Sequence, residues 1–472
     1  MEKFFKLKEN NTTVRTELVA GLTTFFTMAY IINLNPNLLT GFDVGSSLWN
    51  GVFLATCISA CVGTLCMAFL ANKPFAMAPG MGTNTFFAVV VANIVTITGT
   101  SYVQSFQTAL CIIFLEGVIF LILTLLNVRE KIVEAIPLSI RLGISPAIGL
   151  MLMNIGFGSN VGVYDDEGNA YYVMADFFGA LTPSTIEAEM GESYKLMVLT
   201  VVTMFIGLFA IIALTRMIRG GVLVGMLVAS IVYWAGEAIF LGTNPFASLA
   251  TASFVPPFAD MASTTLFKLD FASLPKIGWL TLITVVITYC IIDMFDTIGT
   301  LVGTAQRAGM LDKEGNMPQM KEALAADAVG TVVGSLTGTS TITTFIESAS
   351  GVEAGGRTGL AAVTTAILFG LSIFLAPIAA IIPAAATSSV LIYVGILMLS
   401  GLKNLNFEKL TDLAPIFIML IAMPISGSIG NAIGLALVTH TFIKYLLGQF
   451  KEVSKLTLIL SIVFLVKFFL AV

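Results

Sequence analysis

The chain has 472 residues, of which 57% are hydrophobic and 11% are charged, and its formal net charge is -5. Soluble proteins carry roughly 25% charged residues, so the 23 basic and 28 acidic side chains are too few to cover a soluble surface. The composition predicts a membrane protein with many spans and excludes secreted, disordered, nucleic-acid-binding and ordinary cytosolic proteins.

Apolar segments long enough to cross a bilayer follow one another along the chain. The charged residues 1–17 lack the apolar core of a signal peptide and are expected to form a cytoplasmic lead-in. A spanning helix needs about 20 mainly apolar residues. Twelve segments meet this requirement: 16–35, 51–71, 84–99, 101–127, 138–158, 194–216, 218–241, 277–297, 358–382, 384–402, 410–426 and 427–447. They predict an all-α polytopic fold, in which the apolar tail 456–471, which contains Lys467, stays unplaced.

The charges of the loops predict the orientation of these spans. Lys3, Lys6, Lys8 and Arg15 precede the first span, whereas the loop 159–195 carries seven acidic residues and one Lys. Basic loops stay in the cytoplasm. We therefore expect a cytoplasmic N-terminus, an external acidic loop and residence in the plasma (cell inner) membrane.

Two weak echoes suggest an internal repeat. The tetrapeptide Gly-Thr-Asn-Thr at 82–85 recurs as Gly-Thr-Ser-Thr at 338–341, and the segment beginning at Ile136 resembles the one beginning at Ile382. According to the loop charges, the segment beginning at Ile136 runs outward and the segment beginning at Ile382 runs inward. The pattern predicts two inverted halves of about 240 residues, an architecture typical of secondary transporters.

Each tetrapeptide also lies in a short, interrupted hydrophobic segment, one around 78–91 and one around 334–351. Paired broken segments at corresponding places point to a substrate site near the bilayer midplane. Unwound backbone is tolerated there only where it lines a cavity or is buried in protein. We therefore place the substrate site at these two breaks.

Carboxylates within predicted spans are costly and mark functional sites. Asp293 and Asp296 lie three residues apart, hence on one helix face, and Glu347 follows the second break, with Glu116 a weaker candidate. Asn84 offers a donor and an acceptor at the first break, although helix capping is an alternative role. These acids and Asn84 are not accompanied by a basic residue at either break, which favours a neutral, flat ligand with polar edges.

Other kinds of site are poorly supported by the sequence. A GxxxxGK[ST] phosphate loop is absent, so an ATP-driven pump is not indicated. The five cysteines lie in apolar stretches without metal-type spacing, and His440 stands alone in an apolar segment. We expect no metal and no cofactor.

Four stretches carry a resemblance to a known family. They are TTFFTMAYIINLNP at 23–36, APGMGTNTFFA at 78–88, FDTIGTLVGTAQRAGM at 295–310 and the segment 322–360, which contains TTFIESASG. In these motifs the chain resembles the nucleobase–cation symporter-2 (xanthine/uracil permease) family, and within it the azaguanine-resistance-type branch of hypoxanthine/guanine/adenine permeases. The resemblance covers essentially the whole chain.

The resemblance implies fourteen transmembrane segments in two inverted seven-segment repeats, with short strands in the broken segments 3 and 10. It also implies a homodimer in which a core domain moves against a gate domain, in elevator-type alternating access. The core domain would comprise 1–127 (segments 1–4) and 276–382 (segments 8–11). The gate domain would comprise 128–245 (segments 5–7) and 383–472 (segments 12–14 with the apolar tail).

The resemblance further implies that Asp296 and Glu347 hold the base and that Asn84 is the polar contact from segment 3. Uracil-type relatives carry Glu and His at the positions of Asp296 and Thr300, and Tyr-Gly at those of Phe345 and Ile346. These six positions form the predicted substrate site, and the differences argue against uracil.

These inferences predict a purine nucleobase:proton symporter for hypoxanthine, guanine or adenine. Asp296 or Glu347 would carry the proton, Asp296 being preferred, while Na⁺ coupling stays an alternative. An anion carrier of the related sulfate/dicarboxylate type, an ion channel and, least favoured, a membrane-embedded enzyme are the other readings. The expected partners are a purine nucleobase, the lipid bilayer and a second copy of the chain.

Overall fold

The computed structural model describes residues 2–41, 43–126, 137–158, 194–218, 220–250, 252–307, 310, 317–405, 408–426 and 429–470. Nearly all of the acidic loop predicted at 159–195 lies outside the described residues. The basic loop residues Arg129, Lys131 and Lys313 lie outside them too.

Helices dominate the described residues. In chain order they are α1 (Glu2–Phe5), α2 (Val14–Met28), α3 (Ile31–Leu39), α4 (Ser47–Cys66), α5 (Met81–Thr98), α6 (Tyr102–Leu125), α7 (Leu138–Phe157), α8 (Tyr194–Met217), α9 (Gly221–Gly236), α10 (Phe258–Thr264), α11 (Trp279–Arg307), α12 (Met320–Thr337), α13 (Ser348–Glu353), α14 (Gly359–Leu371), α15 (Ala376–Ala380), α16 (Ala384–Met398), α17 (Leu410–Ser426), α18 (Ile429–Leu446) and α19 (Lys455–Leu470). Two short strands interrupt this order, β1 (Met77–Pro79) and β2 (Ile342–Thr344).

Within the described ranges, ten helical stretches are long and apolar enough to cross a membrane. They coincide with the first ten predicted spans, and the last two predicted spans form α17 and α18. The prediction of a helical, multi-pass membrane protein is therefore confirmed. The count of fourteen segments is not established by these helices.

The first predicted span is broken in its middle. α2 ends at Met28 and α3 begins at Ile31, and the turn between them is tight because Ile32 N donates to Ala29 O at 3.2 Å. Tyr30 lies at this interruption between the two helices and is 1% exposed. This break points the Tyr30 side chain toward the second strand–helix segment, as described below.

The two strands pair with each other across the two broken segments. β1 and β2 are antiparallel, with Ala78 opposite Thr343. Threonines of neighbouring helices satisfy the strand backbones: Thr64 Oγ1 of α4 accepts from Met77 N at 2.9 Å, and Thr331 Oγ1 of α12 accepts from Ile342 N at 3.1 Å. Such bonds are needed because buried backbone groups must be paired. The predicted strands in two broken segments are present.

The tetrapeptide echo does not mark equivalent positions. Residues 82–85 lie in the first turn of α5, after β1, whereas residues 338–341 lie before β2. That part of the repeat prediction was wrong, because it matched Gly/Thr composition and not the strands. The second echo holds structurally, since Pro137 immediately precedes α7 and Pro383 immediately precedes α16.

The segment between α9 and α11 packs across one end of the helix bundle. The segment 243–278, which contains α10, contacts the starts of α4 and α6 and the end of α12. Asn50 Nδ2 donates to Asp260 at 2.7 Å, Gln104 Nε2 donates to Asp270 at 3.1 Å, and Phe267 N donates to Leu336 O at 2.8 Å. These three helix ends therefore lie on the same side of the molecule.

The apolar tail that the sequence left unplaced forms α19, which packs against α18. Phe464 is fully buried against Gly434, and Lys467 Nζ donates to Asn431 Oδ1 at 3.0 Å. Lys467 therefore reaches the opposite end of α18 from Lys444, so α19 runs back along the whole length of its neighbour.

Candidate substrate site

The candidate site lies where the paired strands meet α11 and the break between α2 and α3. The strands are short, and each gives way to a helix: β1 to α5 and β2 to α13. Gly80 N donates to Thr341 O at 3.0 Å, and Phe345 N donates to Ala76 O at 3.0 Å. These bonds hold the two broken segments together on both sides of the strand pair.

Asn84 links the two broken segments directly. It lies in the first turn of α5 and is fully buried. Its Oδ1 accepts the hydroxyl of Ser340, and its Nδ2 donates to Pro79 O at 3.3 Å. The helix N-cap is Gly80, not Asn84, so the capping alternative does not hold in this structure. Asn84 is thus placed at the breaks, with its amide bonded within the protein.

Glu347 immediately precedes α13 and is only partly exposed. Its Oε1 accepts the hydroxyl of Tyr30 at 2.6 Å. An O–H···O separation of 2.5–2.7 Å is typical of a hydrogen bond to an ionised carboxylate. The site therefore contains a carboxylate held from the break of the first span, a contact that sequence reasoning did not anticipate.

Asp296 lies on α11 and is partly exposed. Its carboxyl group interacts electrostatically with those of Asp327 and Glu347. The structure therefore brings the two predicted base-binding acids into one electrostatic neighbourhood, although α11 and α13 are separate elements. Carboxylates that interact in this way resist simultaneous ionisation, because like charges repel.

Asp327 was missed by sequence reasoning. It is fully buried on α12, and its Oδ1 accepts the hydroxyl of Thr297 at 2.7 Å. The signal was present, because Asp327 is an acid inside a span-length segment. That segment is not among the twelve predicted spans, so its acid was not weighed as a membrane carboxylate.

The other three predicted substrate contacts, Thr300, Phe345 and Ile346, differ in how far their side chains are exposed. The Thr300 hydroxyl donates to Asp296 O of its own helix at 2.7 Å, so it is engaged by backbone. Phe345 is 5% exposed and packs in the apolar core, whereas the neighbouring Ile346 is 46% exposed. Of the three, Ile346 is the side chain that is open to a ligand in this conformation.

A buried asparagine of α3 is hydrogen-bonded to the second broken segment. Asn35 is fully buried, and its Nδ2 donates to Thr339 Oγ1 at 2.9 Å and to Thr56 Oγ1 at 2.7 Å. Thr339 lies directly before Ser340, the partner of Asn84. The motif NLNPN thus ties the first span to the second broken segment, and its repeated buried Asn residues were a signal that sequence reasoning did not use.

Asp293, predicted together with Asp296, and the weaker candidate Glu116 are fully buried on α11 and α6. Glu116 interacts electrostatically with Tyr289, whose ring lies 4.6 Å from that of Phe86. Among the described residues, no group of three or more His, Cys, Asp or Glu side chains could hold a metal ion.

A cavity of about 280 Å³ lies elsewhere, between the start of α7 and the helices α17 and α18. Its charged wall is paired internally, with Lys444 Nζ 3.1 Å from Asp412 and 2.8 Å from Glu452. His440 also lines it and is 4% exposed. This cavity touches neither broken segment and is therefore separate from the candidate site.

A family model for xanthine/uracil permeases, described as "Permease family", matches residues 15–429. The chain is 38% identical to a putative permease of Methanocaldococcus jannaschii, covering 99% of this chain and 98% of the relative. It is 36% identical to an adenine permease of Escherichia coli, covering 99% and 95%. It is 34% identical to a guanine/hypoxanthine permease of Bacillus subtilis, covering 99% and 100%.

Solved structures share the fold at low identity. The transmembrane domain of the cyanobacterial bicarbonate transporter BicA aligns with a TM-score of 0.61 at 14% identity, covering 88% of this chain and 96% of that one. The anion transporter SLC26A9 aligns with a TM-score of 0.63 at 10% identity, covering 92% and 66%. At such identities the likeness concerns architecture alone.

Proposed function

Because the chain belongs to the xanthine/uracil permease family, it is a multi-pass membrane transporter and not an enzyme, and we propose that it imports purine nucleobases by proton symport. The observation that carries the proposal is a pair of carboxylates, Asp296 on α11 and Glu347 at the second break. Asp296 and Glu347 interact electrostatically across two elements, and carboxylates accept the N–H groups that a purine ring presents. Hypoxanthine, guanine and adenine are the proposed substrates, in line with the substrates named for the relatives.

Within this site each residue has a proposed role. Asp296 and Glu347 accept ring N–H groups, while Asn84 exchanges its internal bonds for a polar edge of the base. Ile346 and Phe345 contact the ring face, and Thr300 supports Asp296 through the helix backbone. Asp296 takes the transported proton, with the neighbouring carboxylates favouring its protonation through their like charge.

We further propose the family architecture for the fold. Fourteen segments form two inverted repeats, with the strand pair at their crossing. The core domain comprises 1–127 and 276–382, and the gate domain comprises 128–245 and 383–472. The core moves against the gate, as an elevator, in a homodimer. The proposal is supported by the two paired strands, each of which leads into a helix, β1 into α5 and β2 into α13.

Location and orientation follow from the same proposal. The protein lies in the plasma (cell inner) membrane with its N-terminus in the cytoplasm. The segment 243–278 then covers the external ends of the core helices, because it follows an odd number of crossings. Labelling of single cysteines placed at Asn244 and at Lys409 tests this: an impermeant reagent should reach the first from outside and the second only after permeabilisation.

The decisive experiment is uptake of radiolabelled hypoxanthine, guanine and adenine into proteoliposomes with an imposed proton gradient. We expect accumulation that collapses when a protonophore is added and that does not respond to a Na⁺ gradient. Uptake driven by Na⁺ alone would overturn proton coupling. Competition by sulfate or dicarboxylates but not by purines would establish the anion-carrier alternative, which the carboxylate-lined site disfavours because like charges repel. Purine-independent current would establish a channel.

A further inference from the structure

Tyr30 is buried at the break between α2 and α3. Its hydrogen-bond partner Glu347 lies 317 residues further along the chain. The ring is 1% exposed, and the hydroxyl lies 2.6 Å from Glu347 Oε1. A buried phenol hydroxyl must find a partner, and this one has found a carboxylate of the proposed substrate site. Its contact joins the first span to the second broken segment.

The bond restricts a side chain whose stem has three rotatable bonds. Glu347 precedes a helix of only six residues, and besides the Tyr30 hydroxyl its carboxylate accepts its own backbone N–H. The Tyr30 ring, by contrast, is locked by its burial and by the tight turn in which Leu34 N donates to Tyr30 O at 3.0 Å. A rigid donor thus fixes a mobile acceptor.

A carboxylate has two oxygens and about four acceptor positions. The Tyr30 hydroxyl occupies one of them on Oε1, which leaves acceptor capacity for the N–H groups of a base. A binding group that is held in place before the ligand arrives costs less ordering on binding. Tyr30 also interacts electrostatically with Tyr393 of α16, so the contact lies against a helix assigned to the gate.

We propose that Tyr30 is a positioning residue for the substrate site: its hydroxyl fixes the Glu347 carboxylate in the orientation that accepts the purine N–H groups. The proposal rests on the proposed function for the identity of the ligand. It does not require Tyr30 to touch the base. Loss of the hydroxyl weakens substrate binding through Glu347, and it leaves the movement of the loaded transporter unchanged.

The test compares Tyr30→Phe with Tyr102→Phe. Both substitutions remove a tyrosine hydroxyl, but that of Tyr102 lies away from the site and donates to Leu39 O at 2.8 Å. Because hydrogen bonds to charged groups are the stronger class, we expect Tyr30→Phe to raise the KM for purine uptake about tenfold with Vmax within about twofold. Tyr102→Phe should leave both unchanged. A KM for Tyr30→Phe within about twofold of wild type would overturn the proposal.

A double-mutant cycle shows whether Tyr30 acts through Glu347. Purine binding is measured on purified protein, and Tyr30→Phe should have little further effect in a Glu347→Gln background. An equal loss in both backgrounds would assign Tyr30 a role independent of Glu347 and overturn the proposal.

A third readout needs no purine. The infrared carboxylate bands that disappear in Glu347→Gln should shift in Tyr30→Phe and not in Tyr102→Phe, and unshifted bands would overturn the proposal. If wild-type protein takes up no purine, the proposed function fails, while the infrared result still decides the role of Tyr30.

Discussion

Gly149 of α7 and Gly395 of α16 cross reciprocally: a Cβ on Gly149 would lie 2.6 Å from Gly395 O, and a Cβ on Gly395 would lie 2.5 Å from Gly149 O. The two positions are separated by the same interval as Ile136 and Ile382, where the sequence echo begins. Each glycine thus makes room for the backbone carbonyl of the other helix at the same crossing point. Such reciprocity is what an approximate two-fold relation between α7 and α16 produces.

This crossing predicts that an alanine is tolerated less well at Gly149 than at a glycine outside a helix crossing. Gly149→Ala sets a methyl group against backbone that has no flexible end to move, and overpacking of this kind costs about 1–3 kcal/mol. Its thermal unfolding midpoint in detergent should fall below that of Gly370→Ala, where the nearest atom to an added Cβ, Cys61 Sγ, is 3.4 Å away. Equal midpoints for the two variants would show that the crossing is loose.

The sequence was informative where one physical constraint dominates. Spans were predictable because a bilayer demands long apolar runs, and the two breaks were predictable because Gly, Ser and Thr interrupt those runs. The break at Tyr30 was not, because the apolar run from 16 to 35 gives no sign of it. The segment 243–278 was left unassigned because its bonds, such as Asn50 to Asp260, join residues remote in the chain.

The same limit applies to the site. Asp296, Glu347 and Asn84 were identified as acids or amides at the breaks and by resemblance. Asp327 was overlooked, since its partner Thr297 belongs to another helix. A pattern along one helix shows which residues share a face, but it does not show which face of a distant helix lies opposite. For that reason the bond between Asn84 and Ser340 was also beyond sequence reasoning.

Asn84 predicts a first functional outcome. Asn84→Ala removes both the acceptor of Ser340 and the amide that would read the base, so we expect purine uptake to fall at least about tenfold, as for loss of a buried hydrogen-bonding group. Thr85→Val is the matched control, because the Thr85 hydroxyl donates to Met81 O of its own helix at 3.1 Å. Ser340→Ala separates the two roles: a smaller loss than in Asn84→Ala would indicate that the amide itself serves the base.

The covering segment 243–278 predicts a pH dependence of stability. Partial burial alone would raise the pKa of Asp270, but hydrogen bonds from Ser273 and Gln104 outweigh it and hold this pKa below its usual value. A carboxylate with a depressed folded-state pKa contributes stability that is complete above the unfolded value of about 3.9. That contribution is lost as the pH falls further, through the folded-state value.

Asp270→Asn should therefore reduce the drop in unfolding midpoint between about pH 6 and about pH 3, the range that spans the unfolded pKa. Asp43→Asn, at an exposed carboxylate in another loop of the chain, is the control and should leave the drop unchanged. A full acid-induced drop in Asp270→Asn would show that the bonds of Asp270 contribute nothing to folding.

The contact between Thr297 and Asp327 predicts the effect of an isosteric change. Thr297→Val removes the hydroxyl that donates to Asp327 Oδ1 and leaves the shape of the side chain unchanged. We expect uptake to fall about tenfold, the scale for loss of a hydrogen bond to a charged group, and Thr297→Ser to restore it. Thr284→Val on the same helix loses only bonds to its own backbone and should behave as wild type. Normal uptake by Thr297→Val would exclude Asp327 from the transport cycle.

Asp296 and Glu347 should fail in different ways. Asp296→Asn keeps an oxygen that accepts a ring N–H, but its amide does not gain or lose a proton near neutral pH, so net proton-driven accumulation should stop. Purine counterflow, which moves base against base with no net proton movement, should persist at a raised KM. Glu347→Gln replaces one carboxylate oxygen by an NH2 group that cannot accept a ring N–H, so both activities should be weakened through a raised KM, while Glu353→Gln, exposed at the end of α13, should affect neither. Accumulation by Asp296→Asn against a purine gradient would transfer the coupling role to another carboxylate of the cluster.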